Sequence, residues 1–327
     1  MTEAVICICL LRRYELQTGC SDQEQTVTVS APLNYGHDAL ACEYANCYPY
    51  PGGQLLVAGA FQMQHLMPFF REAGAGPGVV CMHSNASSSS QWRGLMERLA
   101  PKFRVLAPDS YGAGKSPAWP KDRPVSLHDE ARLLEPIVAL AGEPMALVGH
   151  SYGAAVALVA AVAQPHRVRA LALYEPTLFA LLDAEAPAPN AADGIRAAVA
   201  RAGVALDAGD PAGGAECFID YWMGTGAWAQ MPEARKGPIA SSIANVRHWA
   251  SALLNEPTPL QAFAALQVPV LYMTGKNSPA SSLDVARLLT STLPQVEVVE
   301  FDALGHMGPI THPDVVNGAI SRFLEHN

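Results

Sequence analysis

The chain has 327 residues, with 21 Lys and Arg against 30 Asp and Glu, a net charge of −9, 50% hydrophobic residues and 16% charged ones. That length can bury a large core and fits one main α/β domain with an insertion better than two equal domains. The acidic balance, with no basic cluster, argues against nucleic acid or an anionic membrane surface as the main partner.

The longest strongly apolar stretch, residues 154–163, falls well short of the roughly 18 residues that a membrane span needs, so no membrane association is expected. The start, MTEAVICICLLRR, has an acid before its apolar stretch and arginines after it, the reverse of a secretory signal's charge order. The expected location is cytoplasmic. Of the seven cysteines, Cys7, Cys9, Cys20, Cys42 and Cys47 crowd the first 47 residues. Their spacings match no paired zinc-ligand pattern, so they read as thiols in a poorly ordered segment. No metal and no cofactor are expected.

Residues 1–60 show little periodicity, and PYPGG at 49–53 reads as a turn or linker, which makes this part an N-terminal extension. From residue 66 the pattern changes to a strand, a Gly-Pro turn and a buried strand at 79–82. A helix over 91–99, a strand at 104–107 and the glycine-rich turn DSYGAGKS at 109–116 follow. Ser126 with Asp129 three residues on reads as a capping box, and Leu127, Ala131, Leu134, Ile137 and Val138 form one apolar face of the helix after it.

Residues 145–155 read MALVGHSYGAA, a short buried strand broken by Gly149-His150-Ser151-Tyr152-Gly153 and followed by an alanine-rich helix that Pro165 stops. A turn this tight puts Ser151 in a strained backbone region with its hydroxyl out of the sheet. The residues two before and two after must then be small, as Gly149 and Gly153 are. The pattern is that of a nucleophile elbow.

A strand at 169–173 ends in Tyr174-Glu175-Pro176. The next comes only at 268–273, with a helix at 282–293, a strand at 296–301, the turn Leu304-Gly305-His306 and a last helix ending at Leu324. Such alternation implies a mostly parallel sheet covered on both faces. The stretch 177–267, rich in alanine and carrying Phe218, Tyr221, Trp222, Met223, Trp228 and Trp249, reads as a helical cap whose aromatics either line a substrate pocket or pack the cap on itself.

His83-Ser84-Asn85 after a buried strand, Trp92 in the next helix, Asp109 to Ser116, the elbow at Ser151 and Gly305-His306-Met307 occur in an order that resembles the α/β-hydrolase fold family, capped serine hydrolase subtype. The resemblance implies an α/β-hydrolase core at 61–176 and 268–327, with the cap at 177–267. Because the family-like text starts near Met63 and Met67, translation is expected to begin at one of them.

The resemblance makes His306 the general base for Ser151, since the family places a histidine in the loop after the last strand. The backbone N–H groups of Asn85 and Tyr152 would form an oxyanion hole. His83 and His150 would be structural, and Ser84 departs from the glycine the family usually has there. The acid departs further. The family most often supplies it as Gly-x-x-Asp after the strand at 268–273, where this chain reads Gly275-Lys276-Asn277-Ser278. Adjacent strands lie about 4.8 Å apart, so Glu175, one strand over, can reach the same histidine. Some family members place their acid there, and Glu175 is taken as the acid ahead of Asp302 and Asp284.

A serine nucleophile suits acyl transfer to water and not dehalogenation or epoxide opening, which need a carboxylate at the elbow. The expected activity is hydrolysis of a small carboxylic ester through an acyl-enzyme. Alternatives are hydrolysis of a carbon–carbon bond beside a ketone and a slow-turnover ligand sensor. The carbon–carbon variant requires the cap to bind a substrate's charged end, and the sequence singles out none of Arg196, Arg201, Arg235 and Arg247 for it. The partner is a small-molecule substrate, and the oligomeric state is not legible.

Overall fold

The computed structural model describes residues 67–120 and 123–327 and, before them, the backbone of four short strands. These are β1 (Leu16–Thr18), β2 (Val27–Val29), β3 (Cys47–Tyr50) and β4 (Gln54–Val57), which form an antiparallel sheet of order β1-β2-β4-β3 within a unit of residues 1–66. The expectations of poor order and of unpaired thiols in this segment fall on residues outside the described ones.

The second unit, residues 67–327, is built on a seven-stranded sheet. Its strands are β5 (Phe70–Ala73), β6 (Gly78–Met82), β7 (Arg104–Pro108), β8 (Met145–His150), β9 (Val168–Tyr174), β10 (Val270–Gly275) and β11 (Val296–Phe301), in the order β11-β10-β9-β8-β6-β7-β5. Only β5 runs antiparallel to its neighbour. Every residue of β6, β8 and β10 is buried, as expected of strands covered on both faces. Alternate side chains serve the two faces: Val80, Met82 and Leu147 enter one core cluster, while Val79, Cys81, Ala146 and Val148 enter the other.

Helices α1 (Arg93–Leu99), α2 (Leu127–Leu133), α3 (Glu135–Ala141) and α4 (Tyr152–Ala163) lie between the strands. The capping box at Ser126 and Asp129 is formed. The single helix expected after it is instead two: Pro136 has no N–H to give to the preceding turn, so α2 ends and α3 restarts around it. Ala154, Ala155, Ala157 and Ala161 let α4 bury almost all round against the sheet.

Between β9 and β10 the chain is helical: α5 (Ala180–Glu185), α6 (Asp193–Asp207), α7 (Pro211–Met223), α8 (Ala227–Gln230), α9 (Glu233–Ser242), α10 (Val246–Leu254) and α11 (Leu260–Phe263). The last elements are α12 (Ala280–Thr292), α13 (Gly308–Thr311) and α14 (Pro313–His326). Among the described residues no helix is long and apolar enough to cross a membrane.

After β6 the chain steps outward to β7, then crosses back to β8 on the other side of β6. The strand order therefore reverses between β6 and β8, whose carboxyl ends lie level, with Met82 opposite Gly149. Open parallel sheets leave a ligand crevice at such a reversal. Ser84 and Asn85 leave one of these strands and Ser151 the other.

Candidate active site

Ser151 stands between β8 and α4 with φ 57° and ψ −117°, a conformation that L-residues rarely adopt. Its N–H donates to the Tyr174 carbonyl at 2.9 Å, which holds the turn against β9. A Cβ at Gly149 would collide with the Ala154 Cα, and one at Gly153 with the Met82 carbonyl oxygen. The two glycines thus let the turn close against its own helix and against β6.

The hydroxyl of Ser151 lies 2.9 Å from Nε2 of His306, and Nδ1 of His306 lies 2.7 Å from Oε2 of Glu175. The three side chains, one from the end of β8, one from the end of β9 and one from the loop after β11, are all buried. Glu175 takes a positive φ of 44°, a strained geometry costing about 1–3 kcal/mol that turns its carboxylate toward β10. There Oε1 accepts from the Gly275 N–H at 2.7 Å, the Ser278 hydroxyl at 2.6 Å and the Thr274 hydroxyl at 2.9 Å.

Burial pushes the Glu175 carboxyl up, but the hydrogen bond and charge of His306 and the donors on Oε1 outweigh it and hold the group below its ordinary value. Glu175 is therefore a carboxylate at neutral pH, aimed at the imidazole. The other acids considered do not reach it: Asp302 is exposed and pairs with Lys276 at 2.6 Å, and Asp284 makes no contact with His306.

Trp222, at the end of α7, stacks on the His306 ring with centroids 3.9 Å apart and planes 25° from parallel. Ser282, fully buried in α12, brings its hydroxyl to 3.3 Å from His306 Nδ1. His150 donates from Nε2 to the His306 carbonyl at 2.8 Å and accepts from the Gln91 amide at 3.1 Å, while Gln91 Oε1 accepts from both the N–H and the hydroxyl of Ser84. Burial and the nearby His306 hold His150 far below the usual histidine range, so it is neutral and can serve as both donor and acceptor. His83, likewise lowered by burial, donates from Nδ1 to the Ser84 carbonyl and accepts at Nε2 from the Ser110 N–H.

Asn85 lies in the turn after β6 and borders the cavity in front of Ser151, and Tyr152 opens α4. Neither backbone N–H has a hydrogen-bond partner among the described residues. The cavity measures about 560 Å³ and reaches from Ser151 and His306 to α6, α7, α9 and α10. Of the aromatics in 177–267, Phe218 and Trp222 border it together with Phe179. Trp249 packs on Phe218, Trp228 sits beneath Lys236, and Tyr221 bonds to Ser281 instead.

Reading the sequence gives no role to Ser278, Thr274 or Ser282 and does not foresee the stacking of Trp222 on His306. A signal for Thr274 and Ser278 does exist, because two hydroxyls flanking a turn without its usual acid are suitable donors for a carboxylate from elsewhere.

The doubly covered sheet and the site at its reversal define an enzyme of the α/β-hydrolase class. Residues 77–313 match the family model of the alpha/beta hydrolase fold, and the chain belongs to that family. An uncharacterized protein of Mycobacterium tuberculosis is 35% identical over 104 residues, 32% of this chain, and the match spans only 30% of that relative. Lipase LipV of Mycobacterium tuberculosis is 29% identical over 262 residues, 76% of this chain and 94% of the lipase. The crystal structure of an alpha/beta hydrolase from Sphaerobacter thermophilus superposes with a TM-score of 0.62 at 25% identity, covering 85% of this chain and 99% of that one.

Proposed function

We propose that the protein hydrolyses a small carboxylic ester through an acyl-enzyme on Ser151, with His306 as general base and Glu175 as the acid that orients and charge-stabilises it. The observation that carries this reading is the unbroken line from Ser151 Oγ to His306 Nε2 at 2.9 Å and from His306 Nδ1 to Glu175 Oε2 at 2.7 Å. Its likeness to a lipase over 76% of the chain also supports the ester reading.

His306 takes the Ser151 proton as Oγ attacks the ester carbonyl, and the negative oxygen that forms is received by the free N–H groups of Asn85 and Tyr152. The tetrahedral adduct collapses, the C–O bond of the alcohol breaks, and His306 hands its proton to the departing oxygen. Water then attacks the Ser151 ester with His306 again as base, releasing the acid and restoring the hydroxyl.

The test is steady-state hydrolysis of p-nitrophenyl esters by wild type and Ser151→Ala, with mass spectrometry of a fluorophosphonate adduct. The reading expects turnover that Ser151→Ala abolishes and a label on the peptide holding Ser151. Turnover unchanged by the substitution, or a label elsewhere, would overturn it.

A further inference from the structure

Resting on the ester reading, we propose that the substrate is a half-ester carrying a free carboxylate remote from the scissile carbonyl, and that Arg235 binds that carboxylate. Apart from His306, Arg235 is the only ionisable side chain among the described residues bordering the cavity, and no Asp or Glu borders it. The protein as a whole has a net charge of −9, so a cavity with a single cation and no carboxylate has the opposite sign to its surroundings.

Arg235 also has no carboxylate partner of its own. Arg196 is bound by Asp183 and Asp193, and Arg247 pairs with Asp207 at 2.6 Å. Arg201 does not border the cavity. Glu233, the acid nearest Arg235 on α9, is taken by Lys236 at 2.6 Å. The side chain of Arg235 has no hydrogen bond or ion pair among the described residues.

The walls fit the rest of such a molecule. Ile195, Val199, Phe218, Ile219 and Leu253 give an apolar lining suited to a methylene chain, with Ser151 toward the sheet and Arg235 on the helical side. A guanidinium meets a carboxylate through two parallel N–H donors, which fixes the chain's direction as well as its charge. Arg235 is exposed, so solvent screens the pair and the expected gain is about tenfold, not thousands.

The experiment compares kcat/KM for p-nitrophenyl hexanoate and mono-p-nitrophenyl adipate in wild type, Arg235→Gln and Arg235→Lys. Wild type should favour the adipate half-ester, and Arg235→Gln should lower the adipate-to-hexanoate ratio about tenfold, mainly through KM. Arg235→Lys, keeping the charge without the fork, should fall between. A ratio unchanged in Arg235→Gln would overturn the assignment. If neither ester is turned over, the ester reading fails separately. Calorimetric titration of monomethyl adipate into Ser151→Ala with and without Arg235→Gln then decides: binding lost with the arginine supports the site, and equal binding refutes it.

Discussion

The Ser278 hydroxyl donates to Oε1 of Glu175 at 2.6 Å, across the turn in which the family most often carries its aspartate. Ser278 occupies the fourth position of that Gly-x-x-Asp pattern, so the usual acid site has become a donor to an acid arriving from the neighbouring strand. With Gly275 N–H and Thr274 Oγ1 it leaves Oε2 of Glu175 free to face His306.

On the proposed roles, Glu175→Gln keeps the shape but removes the charge that balances an imidazolium. Turnover should fall by about 10³- to 10⁴-fold with little change in KM, as when aspartate becomes asparagine in serine proteases. Ser278→Ala removes one hydrogen bond to a charged group and should cost about tenfold. Stopped-assay kcat values for the two variants check both. A Glu175→Gln enzyme near wild-type rate would place the acid elsewhere.

How much of this was legible in the sequence follows from which contacts are local. The elbow depends on Gly149, whose need for smallness is set five residues on by Ala154, and on Gly153, which must clear β6 at Met82 but is marked by the same short Gly-x-Ser-x-Gly pattern; its strand and helix are coded by short apolar runs. The candidate role of Glu175 was also legible, because strand spacing lets an acid one strand over reach the same histidine, and some members of the family place their acid there. The orientation of its carboxylate was not, since three donors from residues about a hundred positions away receive it. Nor was the break between α2 and α3, where the apolar periodicity runs straight through Pro136. Periodicity records which face is buried but not a missing backbone N–H.

Glu130 is fully buried in α2, with Oε2 accepting from the Tyr111 N–H at 3.1 Å and Oε1 against the Tyr152 hydroxyl at 3.0 Å. Burial pushes its carboxyl up to about 8, since these two donors only partly offset it and the neighbouring Asp129 charge adds to it. An unfolded chain releases the proton at the ordinary carboxylate value, so above that value the folded state binds more protons. Glu130's contribution to stability is therefore fully present below the ordinary carboxylate range and is lost as pH rises to about 8. Each pKa unit corresponds to about 1.4 kcal/mol, so the loss should amount to a few kcal/mol. Glu130→Gln imitates the protonated acid, its carbonyl accepting from Tyr111 and its amide donating to the Tyr152 oxygen. Thermal melts from pH 5 to 9 should show Tm falling in wild type and a flatter profile in the variant. Parallel profiles would mean that Glu130 does not hold its proton.

The stacking of Trp222 on His306, with centroids 3.9 Å apart, ties the helical insertion to the imidazole itself. If His306 gains a proton as Ser151 attacks, the indole face meets a cation in a buried site, an interaction worth about 0.5–2 kcal/mol. The interaction is weaker in the resting enzyme, where the ring is neutral in the proposed cycle, so its loss should raise the barrier more than it weakens binding. Trp222→Leu should then lower kcat about 2- to 30-fold, because each 1.4 kcal/mol is tenfold in rate. Trp222 also borders the cavity, so KM should rise as well. Trp222→Phe, which keeps an aromatic face, should recover part of kcat. Pre-steady-state acylation by a p-nitrophenyl ester separates the two effects. A Trp222→Leu enzyme with unchanged acylation rate and raised KM would make the tryptophan a wall of the cavity and nothing more.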